Sequence, residues 1–297
     1  MDERKPASEK PISERTLQRI QNFRLMDDLF MQVCFENNIV CVQLILRIIL
    51  KKPDLTVLSV RTQHPLPSLH ETRSLCLDVF AQDSEGRLYN LEIQRKDVAP
   101  ERGRLHSALL DASALKAGES FSRLPESYVI FIMERDPFKQ GLPLYHFVRA
   151  MPETGLLLED GSHIVYVNGE RREEKTELSQ LMHDFFCTEA DAMYFEALAQ
   201  VVRHFKGSSE GVEKMSSVVE EIRAEGRLEG REEGRLEGRE EGRLEGREEG
   251  RAEGMREANL ATALQMLKMG RFTLEDIAAI TRLNLDEIRA IAEKNAR

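Results

Sequence analysis

Across residues 226–254 a glycine stands at every fourth position, each preceded by Glu and, as far as Gly250, followed by Arg. An α-helix turns once in about 3.6 residues, so glycines four apart make a narrow, slowly drifting stripe. Leu228, Leu236 and Leu244 are too sparse to form a heptad seam. Each interior glycine costs about 1 kcal/mol relative to alanine. The period also stacks Arg over Arg and Glu over Glu, which mildly opposes a helix. Glu232 with Arg235, Glu240 with Arg243 and Glu248 with Arg251 offset this at i,i+3. The stretch reads as a long marginal helix supported by self-association, its glycine stripe admitting a second helix. A solvated charged linker is the alternative. Either way the segment offers no broad apolar face, so the main core lies before it.

The chain then divides into a loose arm over residues 1–20, an α/β domain over 21–210, the repeat over 211–256 and a small helical tail over 257–297. The tail shows two helix starts with an acid three residues on, Thr273 with Asp276 and Asn284 with Glu287. Ile277, Ile280, Ile288 and Ile291 mark their apolar sides. The outline is that of a helix-turn-helix. Arg289 and Lys294 are balanced by Asp286, Glu287 and Glu293, which favours a packing or oligomerising hairpin over a DNA reader.

Within the α/β domain, residues 23–50 carry apolar positions at helical spacing, broken at Asn37-Asn38 and stopped by Pro53. Strands are expected over residues 55–62, 128–133, 144–148 and 163–167. A helix is expected over residues 178–205, and another ends at Ala117 before Gly118, with Leu105, Ala108, Leu109, Ala112 and Leu115 as its core face. The centre is LCLDVFAQDSEGRLYNLEIQ, residues 75–94. Leu77 and Val79 alternate with Asp78 and Phe80, Asp83-Ser84-Glu85-Gly86 is a turn cluster, and Leu91 and Ile93 alternate with Glu92 and Gln94. The hairpin therefore sets Asp78 across from Glu92 and Gln94. Carboxylates buried without a partner cost several kcal/mol. Hard oxygens from two strands suit Mg²⁺ or Mn²⁺, while a solvated acidic face is the plainer alternative. Arg102 and Arg104 follow, placed to grip phosphate.

Several classes have no support. The net charge of −10 argues against a generally basic nucleic-acid binder, though not against a local basic groove. Cys34, Cys41, Cys76 and Cys187 are scattered and read as free thiols of a reducing compartment. The polar N-terminus shows no signal peptide, and the apolar run at residues 39–50 is too short to span a bilayer, so a cytoplasmic protein is expected. His70, His106 and His146 have no metal-ligand spacing and read as core-edge histidines. Phosphate-loop and nucleophile-elbow motifs are absent.

A run of segments resembles the PD-(D/E)XK nuclease family transposases, the group that includes the recombination-promoting nucleases of bacteria. These are MDDLFMQVCFENN (residues 26–38), LDVFAQDSEGRLYNLEIQ (77–94), ERGR (101–104), LPESYVIFIMERDPFKQGLPLYHF (124–147), GSHIVYVNG (161–169), HFKG (204–207) and the repeat itself. The resemblance implies a restriction-endonuclease-like core, a mixed sheet flanked by helices with the acids on a central hairpin. It implies that Asp78 and Glu92 bind the metal, that Gln94 stands where the wider superfamily has lysine, and that Asp28 or Glu36 is the assisting acid of the first helices. Leu105 and His106 occupy positions where the family often has tyrosine. The expected activity is Mg²⁺-dependent hydrolysis of DNA phosphodiesters with little base specificity. Asp78, Glu92 and Gln94 would be catalytic, and the chain would self-associate through its repeat and tail. The rival expectation is a non-catalytic nuclease fold that serves assembly or partner recruitment.

Overall fold

The computed structural model describes residues 12–65, 76–95, 99–116 and 118–295. The chain forms two compact units, one ending at Glu220 and the other spanning Glu221–Arg297.

The first unit opens with three helices, α1 (Glu14–Gln21), α2 (Asp28–Phe35) and α3 (Ile39–Leu50). Three strands follow, β1 (Val57–Pro65), β2 (Cys76–Asp83) and β3 (Leu88–Gln94), which pair as an antiparallel meander. Helix α4 (Pro100–Ala114) then carries the chain across to β4 (Ser127–Met133), which lies parallel to β3. Parallel neighbours need such a crossover because no tight turn can join them. Strands β5 (Leu144–Phe147) and β6 (Ser162–Asn168) complete a six-stranded mixed sheet in the order β1-β2-β3-β4-β6-β5, with β6 parallel to β4 and β5 antiparallel to β6. Helices α5 (Glu177–Phe186), α6 (Glu196–Gly207) and the start of α7 (Ser209–Met269) follow.

The sheet has a core on each face. Val79, Ala81, Leu91, Ile93, Ile130 and Val165 join Phe30, Ile45, Phe185 and Leu198 from the helices on one side. Leu88, Val129, Phe131 and Tyr166 join Leu110 of α4 on the other. Strand β4 is buried along its whole length, which is why its sequence is a continuous apolar run. Met215 and Val219 of α7 are also buried, so this core continues past residue 210.

Some expectations are corrected. The end of the arm is α1, capped by Ser13, with Thr16 and Ile20 buried. The Gln21 amide donates to the Lys206 carbonyl, and Lys206 Nζ donates back to the Gln21 carbonyl, both at 2.8 Å. Residues 178–205 form two helices, because the buried Asp184 carboxylate accepts the Tyr194 and Phe195 amides at 2.9 and 2.8 Å. Helix α4 ends at Ala114, and Ala117 lies outside the described residues, as do His70 and Leu75. The strand expected over 55–62 runs from Val57 to Pro65, so it takes in His64 and Pro65. The buried face of α4 is Gly103, His106, Ser107 and Leu110, while Leu105 is 46 % exposed. Gly103 sets that face. A Cβ there would lie 3.1 Å from both Ile164 Cγ2 and Tyr166 Oη on β6, tighter than ordinary packing. Gly103→Ala is therefore expected to strain the packing of α4 on β6, offsetting the roughly 1 kcal/mol that alanine otherwise adds to a helix, so that urea unfolding shows no gain in stability.

In the second unit the repeat is continuous α-helix as far as Met269, not a linker of mixed helix and coil. Glu240 and Arg243 pair at 2.7 Å, and Leu228, Leu236 and Leu244 are exposed. Helices α8 (Leu274–Thr281) and α9 (Leu285–Asn295) pack on the end of α7 through Ala263, Met266, Ile277, Leu283 and Ile288. The Thr273 and Asp276 capping box is made in both directions, whereas Ile280 is turned out to solvent. Among the described residues no single helix is long and apolar enough to cross a membrane.

Candidate active site

The β2–β3 hairpin turns where expected. Asp83 accepts the Glu85 and Arg87 amides at 3.0 and 2.9 Å, and Gly86 takes a φ of +82°. The register sets Val79 opposite Leu91, which brings Asp78 alongside Glu92. Each carboxylate reaches the other strand. Glu92 Oε1 accepts the Asp78 amide at 3.2 Å, and Asp78 Oδ2 accepts the Ile93 amide at 3.3 Å. The polar side of the hairpin is not a solvated face. Helix α4 covers it, and Asn90 and Glu92 have no exposure.

Helix α4 brings Arg102 and His106, one turn apart, over Glu92. Arg102 Nη2 donates to Glu92 Oε2 at 3.2 Å, Nη1 to Gln94 Oε1 at 3.4 Å and Nε to His106 Nε2 at 3.3 Å. Since a guanidinium only donates, His106 Nε2 accepts, and the neutral ring carries its proton on Nδ1. That nitrogen lies 3.6 Å from Glu92 Oε1 and 3.0 Å from the Asn90 amide. Asn90 Oδ1 is buried with no hydrogen-bond partner among the described residues. An Asn90 side chain turned by half a revolution would set this oxygen against the imidazole N–H.

Burial dominates the electrostatics. It pushes Glu92 up to about 7, aided by the charge of Asp78. It pushes Asp78 up to about 6, aided by the charge of Asp28. It pulls His106 down to about 4, with the Arg102 charge adding to the effect, so the imidazole is neutral at pH 7. Two carboxyls that resist ionisation, with one guanidinium against them, make a site deficient in positive charge.

Of the two acids considered on the first helices, Asp28 is the nearer. It starts α2, raises Asp78, and lines a cleft of about 530 Å³ with Ile93, Gln94, Arg95, Glu134 and Arg135. Glu36 lies elsewhere and pairs with Lys214 at 3.0 Å. Arg104 is exposed, about 200° round the helix from Arg102, and is not drawn into the cluster. His106 is a core residue as well as a neighbour of the acids. Its only sequence signal is its place four residues after Arg102. His146 belongs to a separate chain of contacts, bonding His163 at 3.1 Å, which in turn bonds Glu126 at 3.1 Å.

Among the described residues no three His, Cys, Asp or Glu side chains converge as a ready metal cage. The donor set still fits a hard divalent cation. Mg²⁺ is commonly held by one or two carboxylates, with water in its remaining positions. Asp78 and Glu92 supply two carboxylates and Gln94 an amide oxygen. The buried charge beside Arg102 gives a cation a reason to bind.

No family model, curated protein or solved structure matches this chain.

Proposed function

We propose that the protein is a metal-dependent DNA endonuclease of the PD-(D/E)XK transposase type, with a restriction-endonuclease-like core. The observation that carries this reading is the meeting of the half-buried Asp78 and the buried Glu92 across a central hairpin, with raised pKa values, under an arginine-bearing helix. Two carboxyls that share one half-exposed guanidinium and resist ionisation are what a cation-binding site requires. The mixed sheet flanked by helices supports the same reading.

In this reading Asp78 and Glu92 hold Mg²⁺ or Mn²⁺, and Asp28 adds negative charge at the mouth of the site. The bound ion supplies charge stabilisation to the phosphodiester and acidity to water. Gln94 presents its amide oxygen to orient the attacking water, and cannot act as its base because an amide does not titrate in this range. Arg102 binds the phosphate backbone. His106 is a positioning residue, since it is neutral and buried and its Nε2 is occupied by Arg102.

The test is plasmid nicking by the purified protein in Mg²⁺ and in Mn²⁺. Asp78→Ala and Glu92→Ala are each expected to reduce it about a hundred- to a thousandfold, the scale of losing charge stabilisation in a transition state. Equal nicking by all three proteins would attribute the activity to a contaminant. A second reading, an assembly protein on a nuclease fold, is favoured by the long exposed α7. It predicts no nicking by any of them.

A further inference from the structure

The guanidinium of Arg102 is spread over three acceptors, Glu92 Oε2, Gln94 Oε1 and His106 Nε2. Its side chain is 42 % exposed, whereas that of Glu92 is fully buried. The charge that balances the buried carboxylate therefore sits on a side chain free to leave. Two of the other oxygens are already committed, Glu92 Oε1 to the Asp78 amide and Asp78 Oδ2 to the Ile93 amide, which leaves Asp78 Oδ1 beside the pair that Arg102 holds. Hence two of the oxygens most available to a cation, Glu92 Oε2 and Gln94 Oε1, are the two that Arg102 holds. The planar fork reaches each through a different nitrogen, Nη2 and Nη1. His106 steadies the fork by accepting its third N–H.

We propose that Arg102 is the resident counter-cation of this site, holding Glu92 Oε2 and Gln94 Oε1 in the metal-free protein and surrendering them when a divalent cation binds. This rests on the nuclease reading above and adds a means of regulation to it. Arg102 and the divalent ion exclude one another at Glu92, so Arg102 weakens metal affinity. Once released, it is available to a phosphodiester, so that one side chain serves the empty and the loaded site in turn.

The test is a Mn²⁺ titration of the full chain, read by the paramagnetic resonance of free Mn²⁺, on wild type, Arg102→Gln, Arg102→Ala and Asp78→Ala. Both Arg102 variants are expected to bind Mn²⁺ about tenfold more tightly than wild type, the scale of one lost hydrogen bond to a charged group. Asp78→Ala is expected not to bind. If the Arg102 variants bind equally or more weakly while wild type binds, the counter-cation role is overturned and the nuclease reading stands. If none of the proteins binds, both are overturned. A second measurement needs no variant that must fold. The Arg102 side-chain ¹⁵N–¹H signal of wild type is expected to shift on Mg²⁺ addition, and an unshifted signal in a protein with Mg²⁺ bound would overturn the role.

Discussion

Glu92→Gln is expected to stabilise the metal-free protein at pH 8 while abolishing the DNA nicking proposed for it. The sign follows from the raised pKa. Glu92 goes from an ordinary 4.5 to about 7 in the folded chain, chiefly through burial. Between these values the folded protein binds more protons than the unfolded one. The contribution to stability is thus fully present below pH 4.5 and is lost as pH rises through 7. At pH 8 the ionised, buried Glu92 opposes folding. A glutamine keeps the shape without the charge. The variant should therefore melt higher than wild type at pH 8 and nearly with it at pH 4.5. His106 has the opposite sign, since its folded pKa of about 4 makes stability fall as pH drops below 6.5. Both proteins share it, so it cancels in their difference. Mg²⁺ at about a hundred times its dissociation constant should raise wild-type stability at pH 8 by about 2.7 kcal/mol and leave Glu92→Gln unchanged. A variant less stable than wild type at pH 8 would mean that Glu92 is a structural anchor for Arg102 and not a site held ready for a cation.

The second large effect concerns the repeat. A Cβ added at any of the eight glycines between Gly226 and Gly254 would meet nothing within 4 Å. The helix thus carries the conformational cost of glycine with no compensating close packing among the described residues. Changing all eight to alanine should stabilise it by about 1 kcal/mol per site, on the order of 8 kcal/mol in sum. The measurement is the thermal melt of helical circular dichroism, where the transition of this segment should move well up. Light scattering on the same variant separates the two roles considered for the protein. An unchanged mass leaves the glycines without a packing role. A fall in mass places them at a helix–helix contact and favours assembly.

Where local chemistry decides structure, the sequence was readable. The short apolar run of β4 fits a buried strand, the acids of the hairpin alternate with its apolar residues, and the Thr273 and Asp276 box starts α8 as its spacing required. The features that could not be read depend on distant partners. Helix α1 is fixed by Lys206, 185 residues away in sequence. The break between α5 and α6 depends on Asp184 being buried where it can take two amides. Periodicity on α4 pointed to Leu105, but the close approach of Gly103 to β6 turned Arg102 and His106 toward the acids instead. For the same reason the choice between Asp28 and Glu36 was open in the sequence. Both are acids of the opening helical region, and only packing puts one beside Gln94 and the other beside Lys214.

The most direct measurement of the central claim is a crystal structure of the protein soaked in Mn²⁺, with anomalous scattering used to locate the ion. A peak is expected at the Asp78 and Glu92 carboxylates, with Arg102 withdrawn from Glu92. A crystal in which the peak is elsewhere or absent, and Arg102 still holds Glu92 and Gln94, would contradict it.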